Sequence, residues 1–274
     1  MSDALPVREY GDAGPIVILI HGGPGAPGSM APLARMLAPE FRVLEPWQRP
    51  SGSEPLTVAK HVQDLLDLVD DRCPAAAPLL VGHSWGAMLG LAFAAAHPDR
   101  AAGVVLIGCG TFDTKSRATL LATLDGRMSE ELRTALLDLV VTTPDPDARL
   151  RRTCELLLPI YAHDPTTLDL ELGPCDARAY RESWDDMLVQ QERGVFPAAF
   201  TAVTAPVLML HGESDPHPGD LIRAALATMI PHLEYQQWRN CGHYPWLERS
   251  VQAEFATTLR DWLLARGGPA APQC

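Results

Sequence analysis

The sequence has little positive charge and no hydrophobic run long enough to span a bilayer. Lysine and arginine total 22 against 34 aspartate and glutamate residues, so the net charge is −12, and the basic residues form no cluster. The longest apolar runs, such as 16–20 and 104–107, have the length of a strand, whereas a transmembrane helix needs about 20 apolar residues. We therefore expect neither a nucleic acid nor a membrane as partner.

Cysteine is also scarce, and its spacing is irregular. The six cysteines lie at positions 73, 109, 154, 175, 241 and 274, without a C-x-x-C pair. No His/Cys spacing fits a structural zinc site, and Cys154 with Cys175 is the only pair considered for a disulfide. The first residues lack the charged and apolar regions of a signal peptide. Free thiols and a cytoplasmic protein are the expectation.

Short apolar runs alternate with helical patterns in the first 110 residues and again after residue 203. Hydrophobic residues make up 47 % of the chain, and the strand-like runs lie at 16–20, 42–44, 79–81, 103–107, 206–210 and 233–238. Continuous apolar strands that alternate with helices are typical of a parallel sheet covered on both faces. The sequence therefore predicts an α/β fold with a mostly parallel sheet, built from residues 1–111 and 201–266.

A long segment between two predicted strands interrupts this alternation. Roughly 95 residues separate the run at 103–107 from that at 206–210, far more than an ordinary connection needs. Helical patterns cover 120–124, 130–141, 148–161 and 177–191, with prolines, among them Pro159, expected to separate them. We predict that residues 112–200 form a helical cap over the active edge of the sheet. Residues 267–274 are expected to form a flexible tail.

The pentapeptide Gly82-His83-Ser84-Trp85-Gly86 lies between a predicted strand and a predicted helix. In that setting G-x-S-x-G is typical of a nucleophile elbow, a turn so tight that the serine projects from the backbone. A side chain at position 82 or 86 would collide with the neighbouring strand or helix. We therefore predict Ser84 as the nucleophile.

A serine hydroxyl is a poor nucleophile at neutral pH and needs an adjacent base. Chemistry in such sheets lies at the carboxyl ends of the strands, in the chain order serine, acid, histidine. Asp215 follows the run at 206–210 and His243 follows that at 233–238, which predicts His243 as general base and Asp215 as the group that orients it. The alternatives are Asp113, Glu213 and Asp220 for the acid and His217 for the base.

The loop His21-Gly22-Gly23-Pro24-Gly25 follows the run at 16–20. Acyl transfer needs N–H donors aimed at the developing oxyanion, and glycine lets the backbone approach the substrate oxygen. The N–H groups of Gly23 and Trp85 are the predicted donors. No metal or organic cofactor is implied, because acyl chemistry is complete without one.

Together these motifs resemble the α/β-hydrolase superfamily, and the HGGPG loop with a Ser-Trp-Gly elbow looks most like its proline iminopeptidase branch. The resemblance covers residues 5–110 and 203–265. Two features depart from that branch: Trp47-Gln48-Arg49-Pro50 replaces a common Asp-Gln-Arg-Gly segment, and His83 replaces a glycine of the elbow.

The resemblance implies a serine hydrolase that releases an N-terminal residue, proline in that branch, from small peptides through an acyl-enzyme. An esterase, lactonase or amidase for a small hydrophobic metabolite is the alternative. A non-catalytic receptor or scaffold of the same fold is the third hypothesis. In the peptidase branch, cap carboxylates hold the free amino group of the substrate. The candidates here are Asp185 and Glu192, although a solvated acidic helix face explains them equally well. Trp184 and Phe196 are candidate pocket residues.

Overall fold

Seven strands form one sheet in the computed structural model, which describes residues 5–267. The strands are β1 (Val7–Tyr10), β2 (Ile16–Ile20), β3 (Arg42–Pro46), β4 (Leu79–His83), β5 (Gly103–Ile107), β6 (Val207–Gly212) and β7 (Leu233–Trp238). Their order is β1-β3-β2-β4-β5-β6-β7, and only β1 runs antiparallel to its neighbour. The predicted α/β class with a mostly parallel sheet is confirmed.

Helices connect the strands and fill the long segment between β5 and β6. Within residues 5–267 they are α1 (Ala31–Leu37), α2 (Val58–Arg72), α3 (Trp85–Ala96), α4 (Thr114–Arg127), α5 (Glu130–Thr142), α6 (Pro146–Tyr161), α7 (Ala177–Glu192), α8 (Gly219–Ala227) and α9 (Gln252–Leu264). A short 3-10 helix, Ala198–Ala202, follows α7. Helices α4 to α7 each begin at an N-cap side chain that accepts a first-turn N–H: Asp113, Ser129, Asp145 and Asp176.

The sheet is buried on both faces because alternate side chains of each inner strand enter different cores. Ile18 and Ile20 of β2 pack with α2 and α3, whereas Val17 and Leu19 pack with α1 and α9. Period-two alternation of this kind, apolar on both sides, is what a helix-covered parallel sheet requires. Polar functional groups are thereby confined to the strand ends and their loops.

The structure differs from the sequence predictions at four places. Strand β1 and helix α8 were not predicted. Pro159 does not separate helices: it lies inside α6, two residues before the helix ends at Tyr161, and it leaves Glu155 O without its i→i−4 N–H donor. The amphipathic pattern of residues 247–265 predicts a last helix from Leu247 onward, whereas α9 begins at Gln252, because the preceding residues are bonded elsewhere. Leu247 O accepts the Thr166 N–H at 2.7 Å.

The described chain contains no disulfide: Cys73, Cys109, Cys154, Cys175 and Cys241 are all free thiols. Cys274 and the predicted tail from residue 268 onward lie outside the described residues. None of the helices between residues 5 and 267 is long and apolar enough to cross a membrane.

Candidate active site

Ser84 lies in the turn between β4 and α3, with φ 53° and ψ −116°, a conformation that residues other than glycine rarely adopt. Its N–H donates to Ile107 O of β5 at 2.8 Å. A Cβ on Gly82 would overlap the backbone of Gly86, and one on Gly86 would overlap the carbonyl of Ile20. Both flanking glycines are therefore required by close packing, and the turn holds the serine at the carboxyl end of the sheet.

Asp215, in the loop after β6, and His243, in the loop after β7, form a buried hydrogen-bonded pair. His243 Nδ1 lies 2.7 Å from Asp215 Oδ2, and the two side chains are 4 % and 0 % exposed. Burial alone would raise the pKa of Asp215, but the imidazoles of His243, His211 and His217 outweigh it and hold that pKa well below its usual range. The carboxylate therefore accepts the Nδ1–H of His243.

Burial lowers the pKa of His243 below its ordinary value, and the Asp215 carboxylate opposes this effect without reversing it. The imidazole is consequently neutral at pH 7, with its proton on Nδ1. This tautomer leaves Nε2 unprotonated, which is the state that a general base requires.

The loop after β5 packs His243 against the segment that carries Ser84. A Cβ on Gly108, the residue after Ile107, would lie 2.7 Å from His243 Nδ1. His83, next to the serine, is 3.0 Å from His243 O through Nε2, and the two rings are 4.5 Å apart. No hydrogen bond joins Ser84 Oγ to His243 within residues 5–267. Hydrogen bonds between catalytic groups are often long before substrate binds.

The glycine loop after β2 lies against the elbow. Gly23 has φ 54°, and a Cβ on Gly22 would lie 3.1 Å from Ser84 Cβ. Burial lowers the pKa of His21 to about 4. In the neutral ring, Nδ1 donates to Gly22 O at 2.9 Å. Nε2 accepts the backbone N–H of Gln48 at 3.2 Å. In the described part of the chain, the N–H groups of Gly23 and Trp85 make no hydrogen bond to protein atoms and remain the predicted oxyanion donors.

Gln48 connects these two predicted donor segments, a role that the sequence did not suggest. Its Nε2–H donates to His21 O at 3.1 Å, and its Oε1 accepts the Trp85 Nε1–H at 2.9 Å. The glycine loop and the start of α3 are thus held by one side chain. The available signal was the retention of Gln48, with Arg49, in a segment whose first and last residues depart from the peptidase pattern.

Glu248 is a second polar residue that sequence reasoning missed. Its side chain is fully buried and accepts three backbone N–H groups, from Gly242 at 2.8 Å, His163 at 2.9 Å and Asp164 at 2.7 Å. The His243 N–H donates to Tyr161 O at 2.8 Å. One carboxylate therefore joins the loop of the candidate base to the segment that leaves α6.

Replacing Glu248 with glutamine is expected to destabilise the fold by about 1–3 kcal/mol, because the new amide group leaves at least one of the three N–H donors without an acceptor. Displacement of Gly242 should also lower kcat. Urea unfolding and steady-state kinetics measure the two effects. Glu254→Gln, an exposed change in the first turn of α9, is the matched control. Equal behaviour of the two variants would contradict this role.

The four residues predicted to contact substrate, Trp184, Asp185, Glu192 and Phe196, differ in burial and in their neighbours. Trp184 is half-buried and its ring lies 5.3 Å from that of Trp85, beside the elbow. Asp185 and Glu192 are exposed, and no hydrogen bond connects them to the Asp215–His243 pair. Phe196 is buried and stacks on Phe200 with a ring separation of 5.3 Å. Trp184 thus packs against Trp85 of the elbow, and substrate contact by any of the four stays a prediction.

Three other acidic residues connect α7 to residues 51–58: Asp176 at its N-cap, and Glu182 and Asp186 within the helix. Asp176 accepts the Ser51 N–H at 2.7 Å and the Ser51 hydroxyl at 2.9 Å. Glu182 accepts the Leu56 N–H at 2.9 Å, and Asp186 accepts the N–H of residue 58, the first of α2, at 2.7 Å. Part of the acidity of this segment is thus used to attach α7 to residues 51–58.

The alternatives for acid and base lie in different surroundings. Asp113 caps α4 and accepts from Ser116, while Glu213 and Asp220 are exposed. His217, by contrast, is buried beside Asp215. Asp215, His217 and His243 form a group in the described chain whose ligand atoms, all within 4.8 Å, are close enough for a metal ion. Their mutual hydrogen bonds already account for this arrangement.

Comparison with known proteins gives a family-model match and relatives of two kinds. The model described as "Alpha/beta hydrolase family" matches residues 17–257. The 2-hydroxymuconate semialdehyde hydrolase of Pseudomonas putida is 26 % identical in an alignment 277 residues long, which covers 94 % of this chain and 89 % of the relative. The proline iminopeptidase of Arabidopsis thaliana is 39 % identical, but over 100 residues, 34 % of this chain and 26 % of the relative.

Solved structures agree in fold. The enol-lactonase from Burkholderia xenovorans superposes with a TM-score of 0.64 at 22 % identity, covering 94 % of this chain and 96 % of that one. At this identity the likeness concerns the fold alone. The match to the peptidase spans about a quarter of that relative, whereas the match to the semialdehyde hydrolase extends through the cap.

Proposed function

Because this chain belongs to the alpha/beta hydrolase family and is a hydrolase, we propose that it cleaves small esters or lactones through a serine nucleophile and an acyl-enzyme. Membership of the superfamily confirms the resemblance seen in the motifs. The observation that carries the serine mechanism is the buried Asp215–His243 hydrogen bond at 2.7 Å, packed beside a strained Ser84.

In the proposed reaction, the Ser84 hydroxyl attacks the carbonyl carbon of the substrate while His243 Nε2 accepts its proton. Asp215 keeps the proton of the resting imidazole on Nδ1 and stabilises the imidazolium. The N–H groups of Gly23 and Trp85 hold the oxyanion of the tetrahedral intermediate. His243 then protonates the leaving alkoxide. In the second half of the reaction His243 takes a proton from water, which attacks the acyl carbon, and then returns that proton to Ser84 as the acid product leaves.

Two observations support an ester or lactone as substrate rather than a peptide. An aminopeptidase needs a carboxylate that faces the substrate amine, and the candidates Asp185 and Glu192 are exposed on α7. Glu182 and Asp186 anchor the cap instead. In addition, the relative that matches along 94 % of this chain is named as a hydrolase of 2-hydroxymuconate semialdehyde, a non-peptide compound.

Proline iminopeptidase activity is the second candidate. It is favoured by the local match of 39 % identity to the plant enzyme and by the position of Trp184 beside the elbow. This match covers 34 % of the chain, whereas the match to the semialdehyde hydrolase covers 94 %.

A substrate panel tests this choice. We expect the purified protein to hydrolyse a short-chain aryl ester and an aromatic lactone with kcat/KM at least about 100-fold above that for a prolyl arylamide. The N-acetylated prolyl arylamide and the Ser84→Ala variant are the controls. Fast cleavage of the free-amine arylamide that is lost on acetylation would instead establish an aminopeptidase whose cap recognises an ammonium group.

A further inference from the structure

Two histidines, not one, donate to the carboxylate of Asp215. His243 Nδ1 lies 2.7 Å from Oδ2, and His217 Nδ1 lies 3.0 Å from Oδ1. The backbone N–H of His217 also donates to Oδ1, at 2.8 Å. Both oxygens of the carboxylate therefore have imidazole partners, while the reaction described above uses only one of the two rings.

The imidazoles of His217 and His243 are stacked, and each directs its Nδ1 toward the Asp215 carboxylate. Their ring centroids are 4.6 Å apart with an interplanar angle of 16°, and the His217 side chain is 8 % exposed. His211 Nε2 lies 3.0 Å from His217 O, and this contact holds the backbone of His217. Because an ionised carboxylate only accepts, each of the two rings carries a proton on Nδ1. His217 is thus held at both its backbone and its side chain.

Sharing the carboxylate has a consequence for the basicity of His243. The negative charge of Asp215 stabilises the imidazolium that forms when His243 takes a proton. Each further donor on the carboxylate disperses that charge and weakens its pull on His243. We propose, on the basis of the proposed serine mechanism, that His217 is a positioning residue that shares Asp215 with His243 and thereby lowers the basicity of the catalytic imidazole.

Other titratable groups surround this pair. They are His211 at the end of β6, His83 at the end of β4, Cys109 after β5, Tyr161 at the end of α6, Cys241 after β7 and Tyr244 next to His243 in the chain. Burial lowers the pKa of both histidines and raises the pKa of the two thiols and two phenols. All six are neutral near pH 7, so a change in the acid limb of the pH profile reports on Asp215, His217 and His243.

Three substitutions of His217 separate the donor from the ring. His217→Asn keeps an N–H donor without the stacked ring, His217→Phe keeps a ring without the donor, and His217→Ala removes both. We expect the acid limb of kcat/KM for the best ester substrate to move upward by about 0.5–1 pH unit in the Phe and Ala variants. It should stay near the wild-type position in the Asn variant, and above the limb the rates of all folded variants should approach or exceed the wild-type rate.

A merely structural role predicts a different pattern, in which kcat/KM falls by the same factor at every pH and the Asn variant is no better than the others. That pattern, or an unmoved acid limb in the Phe and Ala variants, would overturn the proposal. Only variants that unfold cooperatively in urea, and are therefore folded, enter the comparison of pH profiles. Nitrogen-15 NMR of the wild-type histidines gives a measurement free of folding defects, and a His217 proton on Nε2 instead of Nδ1 would likewise overturn it. Full activity of Ser84→Ala would refute the serine mechanism itself, separately from any result at His217.

Discussion

Replacing Ser84 with alanine is expected to reduce kcat by more than a thousandfold, and by about 10⁶-fold if the triad acts as a unit. The hydroxyl is the only group of the elbow that can form the acyl-enzyme, while the backbone contact that shapes the turn, Ser84 N–H to Ile107 O at 2.8 Å, does not depend on the side chain. Steady-state kinetics on the best ester substrate measure the loss, and urea unfolding should show a stability close to that of the wild type.

A second serine supplies the matched control. Ser214, beside Asp215, is held through its backbone, since its N–H donates to Cys241 O at 2.8 Å and its carbonyl accepts from Arg127 at 2.9 Å. Ser214→Ala should therefore retain wild-type kcat. A fluorophosphonate probe should label the wild type and Ser214→Ala on Ser84, and leave Ser84→Ala unlabelled. Retention of more than about a thousandth of kcat in Ser84→Ala would exclude Ser84 as the nucleophile.

The sheet could be predicted from sequence because its strands are short, apolar and bounded by turn residues. The bounds of β2, β5 and β7 match the predicted runs residue for residue. Strand β1, with the sequence VREY, gives no such signal, because an edge strand with one exposed side needs few apolar residues. Helix α8 buries only Gly219, Ile222 and Leu226, a pattern too short to stand out between two loops.

The candidate acid and base could be placed because chain order and strand ends constrain them strongly. Their supporting groups could not, because Gln48 and Glu248 act on residues distant in sequence or on backbone atoms that carry no sequence signal. Glu248 illustrates this limit: its three partners are all N–H groups of the main chain. His217 was considered only as a rival of His243, since spacing alone does not show that two side chains share one carboxylate.

Asp215→Asn is expected to lower kcat by about 10⁴-fold while the protein stays folded. The carboxylate accepts from the backbone N–H of His217 at 2.8 Å and from the Nδ1 atoms of His217 and His243 at 3.0 and 2.7 Å. An asparagine offers one acceptor oxygen and turns a donating NH₂ toward the remaining partners. If that NH₂ faces His243, the ring must carry its proton on Nε2, and it is then unable to accept the proton of Ser84.

The three alternative acids, Asp113, Glu213 and Asp220, are the controls for this prediction. Asp113→Asn should leave kcat near the wild-type value, because asparagine caps a helix as well as aspartate does and Asp113 serves as the N-cap of α4. Glu213→Gln and Asp220→Asn change exposed side chains and should be equally mild. A near-native kcat in Asp215→Asn, together with a large loss in one of the rivals, would transfer the role of the acid to that residue.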